Sequence, residues 1–160
     1  MAYQRGDYAV ARDYVSKALA LNGSAPEANV NNGLLQLLSG NADAATQALS
    51  KGSGAASLDE ALGNLSIMQG NYAQAVKQFG NTASNSAALA QLLNKDYLTA
   101  SKTLDRIAAP DGLTSYLKAI IAARTNNSEQ ALTHLRTAVA KDPSLAELAK
   151  TDLEFAKINK

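Results

Sequence analysis

The 160-residue sequence has few of the side chains from which most enzyme and metal sites are built. It contains no cysteine, no tryptophan and one histidine, His134. The lack of cysteine excludes disulfides and cysteine-ligated metal sites. A histidine-dependent triad would have to be built on His134 alone, and we interpret this residue as a surface or edge histidine on a structural helix. We therefore predict no catalytic, metal or cofactor site, and a protein that is not an enzyme.

Charge is scarce and evenly divided between the two signs. Charged residues make up 18% of the chain, and the formal net charge is +1. Lysine and arginine are scattered singly, whereas nucleic acids and anionic membranes bind clustered basic residues. A membrane-spanning helix needs a run of about 18 apolar residues, and the sequence contains no run of that length. The sequence therefore predicts neither a nucleic-acid partner nor direct membrane insertion.

What the chain does contain is a regular pattern of small residues, in pairs twelve positions apart. The pairs are Gly33 with Ala45, Gly63 with Ala75, Ala88 with Ala100, and Ala119 with Ala131. Small side chains on two facing helices let the backbones approach closely. The pattern therefore predicts one helical hairpin copied along the chain, most clearly in Gly63–Phe79, where Tyr72 and Phe79 add bulk around the contact.

A turn residue follows the first member of each pair after seven positions. The four turn residues are Gly40, Gly70, Lys95 and Asn126, and an earlier half-copy has its turn at Gly6 and its small residue at Ala11. Glycine and asparagine tolerate the positive φ that ends a helix. Lysine does not, so we expect Asn94 to take the strained conformation in that copy.

The turns are spaced by 34, 30, 25 and 31 residues, and a period near 34 in a helix–turn–helix unit is typical of tetratricopeptide repeats. The resemblance lies in GDYAVARDYVSKALAL (6–21), GNYAQAVKQF (70–79), KDYLTASKTL (95–104) and EQALTHLRTAVAKDP (129–143). Each is similar to the second helix of such a repeat. The resemblance implies an all-α fold of antiparallel helix hairpins, a TPR-like α-solenoid with a right-handed superhelix.

We predict about ten helices in a single domain, 1–160. It would comprise a partial repeat 1–23, repeats 24–54, 55–81, 82–110 and 111–143, and a capping helix 144–160. Capping boxes are expected at Ser24–Glu27 and Ser57–Glu60. The last helix should run to about Ile158, with a polar face that covers the exposed end of the array. Ala2–Arg5 resembles the end of a helix that begins earlier, so we expect a piece of a larger protein.

In tetratricopeptide proteins the concave face of the first helices is the usual peptide site. The resemblance therefore implies a protein or peptide partner and a groove built from equivalent positions of successive first helices. The candidate groove residues are Val30, Leu34, Asn64, Asn85, Leu89, Tyr116, Ile120 and Arg124. The wider face also includes Leu37, Leu38, Glu60, Ile67, Met68, Leu92, Leu93 and Leu113. The main hypothesis is a scaffold that binds a protein segment in this groove.

The alternative is an architectural spacer or oligomerisation segment of a larger bacterial envelope protein, with possible self-association. The Asn-, Ser- and Ala-rich composition, and the run MQGNYAQAVKQFGN (68–81) in particular, is similar to tetratricopeptide segments of exported, outer-membrane-associated bacterial proteins. That similarity implies an exported location rather than a cytoplasmic one.

Overall fold

The computed structural model describes residues 7–156 and 158, and the chain divides into two compact units, Met1–Phe79 and Gly80–Lys160. We call them the N-terminal and the C-terminal unit. The described part of the N-terminal unit forms α1 (Tyr8–Leu21), α2 (Pro26–Leu38), α3 (Ala42–Leu49), α4 (Leu58–Met68) and α5 (Tyr72–Phe79). The C-terminal unit forms α6 (Asn85–Leu93), α7 (Tyr97–Asp105), α8 (Gly112–Arg124), α9 (Ser128–Lys141), α10 (Leu145–Thr151) and a 3₁₀ turn (Leu153–Phe155).

The predicted all-α class is confirmed, because the residues described form helices and no strand. Consecutive helices pair as hairpins α2–α3, α4–α5, α6–α7 and α8–α9. In the N-terminal unit the first helix α4 packs on both members of the preceding hairpin, and in the C-terminal unit α8 does the same. Over the described ranges, no helix combines the length and the apolar character needed to cross a membrane.

The four hairpin turns share one backbone design. Gly40, Gly70, Lys95 and Asn126 all have positive φ, between 60° and 76°. The residue after each turn donates its N–H to a carbonyl five positions earlier, as from Asn41 to Gln36 at 2.9 Å, and this bond closes the end of the first helix. Three of these following residues also cap the second helix: Asn41, Asp96 and Asn127.

The expectation for the third turn is wrong. Lys95 itself has a φ of +65°, whereas Asn94 has an ordinary φ of −77°. The reason is that one residue, Asp96, both caps α7 and donates the backbone hydrogen bond that closes the end of α6. That bond joins the Asp96 N–H to the Gln91 carbonyl at 2.9 Å, which sets the positive-φ residue one place before Asp96. Turn geometry here outweighs the preference of lysine for negative φ.

Both predicted capping boxes are also wrong. The Ser24 hydroxyl donates to Asn22 Oδ1 at 2.8 Å, and α2 begins one residue later, after Ala25, with Pro26 in its first turn. Ser57 stands before α4, but its backbone is turned (φ −93°, ψ 5°) and its side chain caps nothing. A capping residue has a non-helical backbone, which lets its side chain reach the N–H groups of the first turn. Asp111, with a ψ of −169°, has one and forms a complete capping box with Thr114.

The predicted continuous last helix is interrupted. α10 ends at Thr151, and Asp152 is extended (φ −75°, ψ 118°). The Asp152 carboxylate then accepts the Glu154 N–H at 3.0 Å, which starts the 3₁₀ turn. The break turns Phe155 into the core, where it is fully buried, and α10 packs on α9 while the 3₁₀ turn packs on α8.

The close approach at Gly63 is made by an aromatic ring. A Cβ atom at position 63 would lie 2.7 Å from two ring carbons of Phe79 and 2.9 Å from a third. Phe79 is 3% exposed, so its ring has little room to retreat. In the C-terminal unit the equivalent pair is Ala88 and Leu104, both almost fully buried. The residue tolerated on the first helix therefore depends on the shape of its partner on the second.

We predict that Gly63→Ala lowers the free energy of unfolding by about 1–3 kcal/mol, because the added methyl overlaps a ring that cannot move away. Gly63→Ala combined with Phe79→Leu should lose less than the sum of the two single changes, since it recreates the Ala88–Leu104 pair. Urea denaturation of the four proteins measures this coupling. Additive losses would contradict the assignment of the contact to Phe79.

Candidate functional site

The residues predicted to bind a partner lie on one face of each first helix. Four positions apart on a helix places side chains above one another, so every first helix presents a row of three such residues. We call these rows the inner rows. They are Val30, Leu34 and Leu38 on α2; Glu60, Asn64 and Met68 on α4; Asn85, Leu89 and Leu93 on α6; and Tyr116, Ile120 and Arg124 on α8.

The inner rows of the N-terminal unit are open at the ends where α2 and α4 finish. Val30 is fully buried in the hydrophobic core, and Leu34 is half-buried against the same cluster. Leu38 and Met68, by contrast, are 52% and 43% exposed. Asn64 is half-buried, and its side chain makes no hydrogen bond within the described residues. Asn64 and Met68 lie one turn apart on α4, and α2, which ends in Leu38, packs on α4.

The inner row of α6 makes its contacts within the C-terminal unit. The Asn85 amide donates to Asp111 Oδ1 at 3.1 Å, and its carbonyl oxygen lies 3.0 Å from the Thr114 hydroxyl. Leu89 and Leu93 are half-buried against the core cluster. Asn85 therefore joins α6 to the cap of α8.

The inner row of α8 contacts residues 152–155, which follow α10. The Tyr116 hydroxyl donates to Asp152 Oδ2 at 2.6 Å, and Arg124 Nε donates to Glu154 Oε2 at 3.0 Å. A second bond, from Arg124 Nη2 to the other Glu154 oxygen, makes this pair bidentate. Phe155 meets the Tyr116 ring edge to face, with centroids 5.5 Å apart. We call residues 152–155 the strap.

Two pKa shifts follow from these contacts. Burial, together with the hydrogen bond to the Asp152 carboxylate, raises the pKa of Tyr116 well above its ordinary value. Hydrogen bonding to Glu154 raises the pKa of Arg124 against the opposing effect of burial. Tyr116 therefore remains a neutral donor and Arg124 a cation at any physiological pH.

A separate polar cleft of about 690 Å³ lies among α7, α8 and α9. Its charged groups include Lys118, whose Nζ is 2.6 Å from Asp105 Oδ1, and the half-buried His134. Burial and the positive charge of Lys118 lower the pKa of His134, so its imidazole is neutral at pH 7. Among the described residues, no hydroxyl or carboxylate is hydrogen-bonded to His134, and no three potential ligands cluster to hold a metal ion.

The hairpins have a counterpart among known families. A family model described as tetratricopeptide repeat matches residues 2–59. Residues 2–59 are therefore similar to tetratricopeptide repeats. The hairpins beyond residue 59 keep the same twelve-residue spacing of small residues and the same turn. No curated protein matches the chain.

Tetratricopeptide repeats generally mediate protein–protein interactions, and members of the family are typically non-enzymatic scaffolds. The eight predicted groove residues stand in different structural situations. Leu34 and Asn64 are half-buried on the rows that end in exposed side chains, and Val30 is in the core. Asn85 and Leu89 serve contacts within the C-terminal unit, and Tyr116, Ile120 and Arg124 face the strap or the core beside it.

The strap was not predicted from the sequence. Asp152, Glu154 and Phe155 stand in a segment whose spacing of charged and apolar residues suits a continuous amphipathic helix. One signal was present: Asp is a poor residue for a helix interior and a good one for starting a turn, because its carboxylate accepts nearby backbone N–H groups. Their partners, Tyr116 and Arg124, lie 36 positions before Asp152 and 30 positions before Glu154, so local sequence could not indicate them.

The cap of α8 generates a test. Burial opposes the ionisation of Asp111, but hydrogen bonds from Thr114 and Asn85 outweigh it and lower its pKa. A carboxylate with a lowered pKa stabilises the fold above its unfolded pKa of about 3.9, and this contribution is lost as pH falls through the folded value. We predict that Asp111→Ala lowers the free energy of unfolding by about 1 kcal/mol at pH 7.

The difference between wild type and Asp111→Ala should shrink when urea denaturation is repeated at decreasing pH below about 4. Asp59→Ala is the control, because Asp59 is exposed and makes no side-chain hydrogen bond within the described residues. A loss that is equal for both variants, or that does not change with pH, would contradict the role assigned to the Asp111 carboxylate.

Proposed function

We propose that this protein binds an extended segment of another protein across the inner rows of α2 and α4. The observation that carries the proposal is the exposure of Leu38 and Met68, at the same place on two helices that pack together. Exposed apolar side chains grouped beside polar ones are characteristic of protein-binding surfaces. Such a groove contributes pockets for side chains of the bound segment.

The half-buried amide of Asn64 supports the same site. It lies one turn before Met68 on the same row of α4 and has both a donor and an acceptor to offer. An extended peptide exposes unpaired backbone N–H and C=O groups, which an amide can satisfy together. Because the helices that carry these residues are held by buried contacts, little ordering cost falls on the scaffold.

The prediction concerns charge placed on the proposed surface. Leu38→Glu together with Met68→Glu should weaken binding of a groove peptide at least about tenfold, or about 1.4 kcal/mol, because carboxylates replace the two apolar tips. The matched control is Gln47→Glu with Gln74→Glu, which adds the same charge at exposed positions of the second helices α3 and α5. Circular dichroism establishes that both variants are folded.

The peptide comes from a random displayed library selected on the wild-type protein, and its affinity for the three proteins is measured by fluorescence anisotropy. We expect a dissociation constant of about micromolar for wild type and control. Peptides that bind all three proteins equally would contradict the proposed site, as would a selection that enriches none.

Self-association is a second candidate function, which corresponds to an architectural role in a larger envelope protein. It is favoured by one face of α1, where Val10, Tyr14 and Leu21 are 47%, 64% and 90% exposed. These positions follow helical spacing, so the three side chains form one apolar stripe. A second copy of the chain that presents the same stripe would cover it.

Sedimentation velocity over a wide concentration range tests this role. If the α1 stripe mediates self-association, the wild-type sedimentation coefficient should rise with concentration. Tyr14→Lys should abolish the rise, because a cation opposes burial of the stripe. Gln47→Lys, which changes an exposed residue of α3, serves as the control. A wild-type protein that stays monomeric throughout would reject self-association through α1.

A further inference from the structure

The strap occupies the inner row of α8 with contacts of the kind that bind peptides. It offers two carboxylates and one aromatic ring: Asp152 to the Tyr116 hydroxyl, Glu154 to the Arg124 guanidinium, and Phe155 to the Tyr116 ring. Tyr116 and Arg124 are eight residues apart, which is about 12 Å along a helix. The strap therefore covers the inner row of α8 from end to end. The equivalent rows of α2 and α4 end instead in the exposed side chains of Leu38 and Met68.

The backbone of the strap is independent of the helix that it covers. Its hydrogen bonds stay within the C-terminal segment: Asp152 N–H to Leu148, Phe155 N–H to Asp152, and Ala156 N–H to Leu153. No backbone hydrogen bond in the described chain joins it to α8. Leaving α8 would thus break side-chain contacts alone and would keep both α10 and the 3₁₀ turn intact.

The strap begins at an extended residue, Asp152, which separates residues 153–155 from α10. A change of backbone torsion at this one residue would move Phe155 off α8 without unwinding the preceding helix. Leu153 is 87% exposed, and the side chains of Arg124 and Glu154 are 27% and 28% exposed. Solvent therefore reaches the charge pair, while the ring of Phe155 is the single fully buried anchor.

We propose that the strap is an internal ligand of α8, and that an acidic protein segment with an aromatic residue directly after a glutamate, in the pattern Asp-x-Glu-Phe, displaces it. This inference rests on the proposed function, since it assigns an inner row as the binding surface. It adds the partner chemistry: carboxylates for Tyr116 and Arg124, and an aromatic ring for the site of Phe155.

Competition between the two ligands sets the expected behaviour. A tethered segment acts at an effective concentration in about the millimolar range, so a free peptide with the same contacts binds weakly until the strap is loosened. Its apparent affinity is the intrinsic affinity multiplied by the fraction of molecules in which α8 is uncovered. Weakening the strap should therefore strengthen binding of the free peptide.

The test uses the full chain and a fluorescent peptide with the sequence of residues 152–158, Asp-Leu-Glu-Phe-Ala-Lys-Ile. The strap-weakened variant is Asp152→Asn with Glu154→Gln, which keeps the size of both side chains. Glu147→Gln is the matched control, because Glu147 pairs with Lys150 within α10, at 2.6 Å and highly exposed. The third variant, Arg124→Gln, removes a binding group of α8 itself.

We expect the peptide to bind the strap-weakened variant about tenfold more tightly than wild type or Glu147→Gln. Arg124→Gln should bind it poorly although its strap is also loosened. Hydrogen exchange should show faster exchange at residues 153–156 in the strap-weakened variant, with α8 and α9 still protected. These three results together distinguish a displaceable ligand from a fixed cap.

Three results would overturn the proposal. One is a strap-weakened variant that is folded by circular dichroism and does not bind the peptide. Another is exchange of the strap amides only together with those of α8 and α9. The last is a loss of helix in the variant, since the strap would then be an integral part of the core. None of them bears on whether Leu38→Glu with Met68→Glu weakens the library-selected peptides, so the two proposals can fail separately.

Discussion

Each hairpin of this protein depends on how closely its two helices approach, and one pair of facing residues limits that distance. At Gly63 the ring of Phe79 occupies the space that a Cβ would need. At Gly33 the side chain of Leu49 does so, with a carbon 2.5 Å from the position of a Cβ. In the C-terminal unit, Ala88 and Leu104 stand at the equivalent positions and are buried in the same core cluster. The repeat therefore conserves a fit between two side chains rather than a particular residue.

The turn is the second constraint, and it explains why lysine stands in a conformation that it disfavours. The bond that closes the first helix and the side chain that caps the second belong to the same residue, Asp96 in the third hairpin. Once Asp96 is placed, the residue before it must have positive φ, whatever its type. The strain at Lys95 is local and small, whereas losing the turn would separate the two helices of the hairpin.

Equivalent positions of a repeat need not have equivalent roles. On α4 the inner row carries an amide, that of Asn64, with no hydrogen-bond partner among the described residues, and it ends in an exposed methionine. On α8 the same row binds the chain's own carboxylates and aromatic ring. On α6 it begins with an asparagine that supports the cap of the next helix. Within the described residues, the copied helices thus present an exposed row end on α4, an internal junction at α6 and a row covered by the strap on α8.

The sequence by itself determined the helical class, the positions of the hairpin turns and most helix limits. These features follow from local spacing: small residues twelve apart, and glycine or asparagine where a helix must end. Only the tertiary structure decided which inner-row residues are open, because exposure depends on neighbours distant in the chain. It also decided the break at Asp152. Local propensity allowed a continuous helix there, but the fold provided Tyr116 and Arg124 as partners for two carboxylates and a buried site for Phe155.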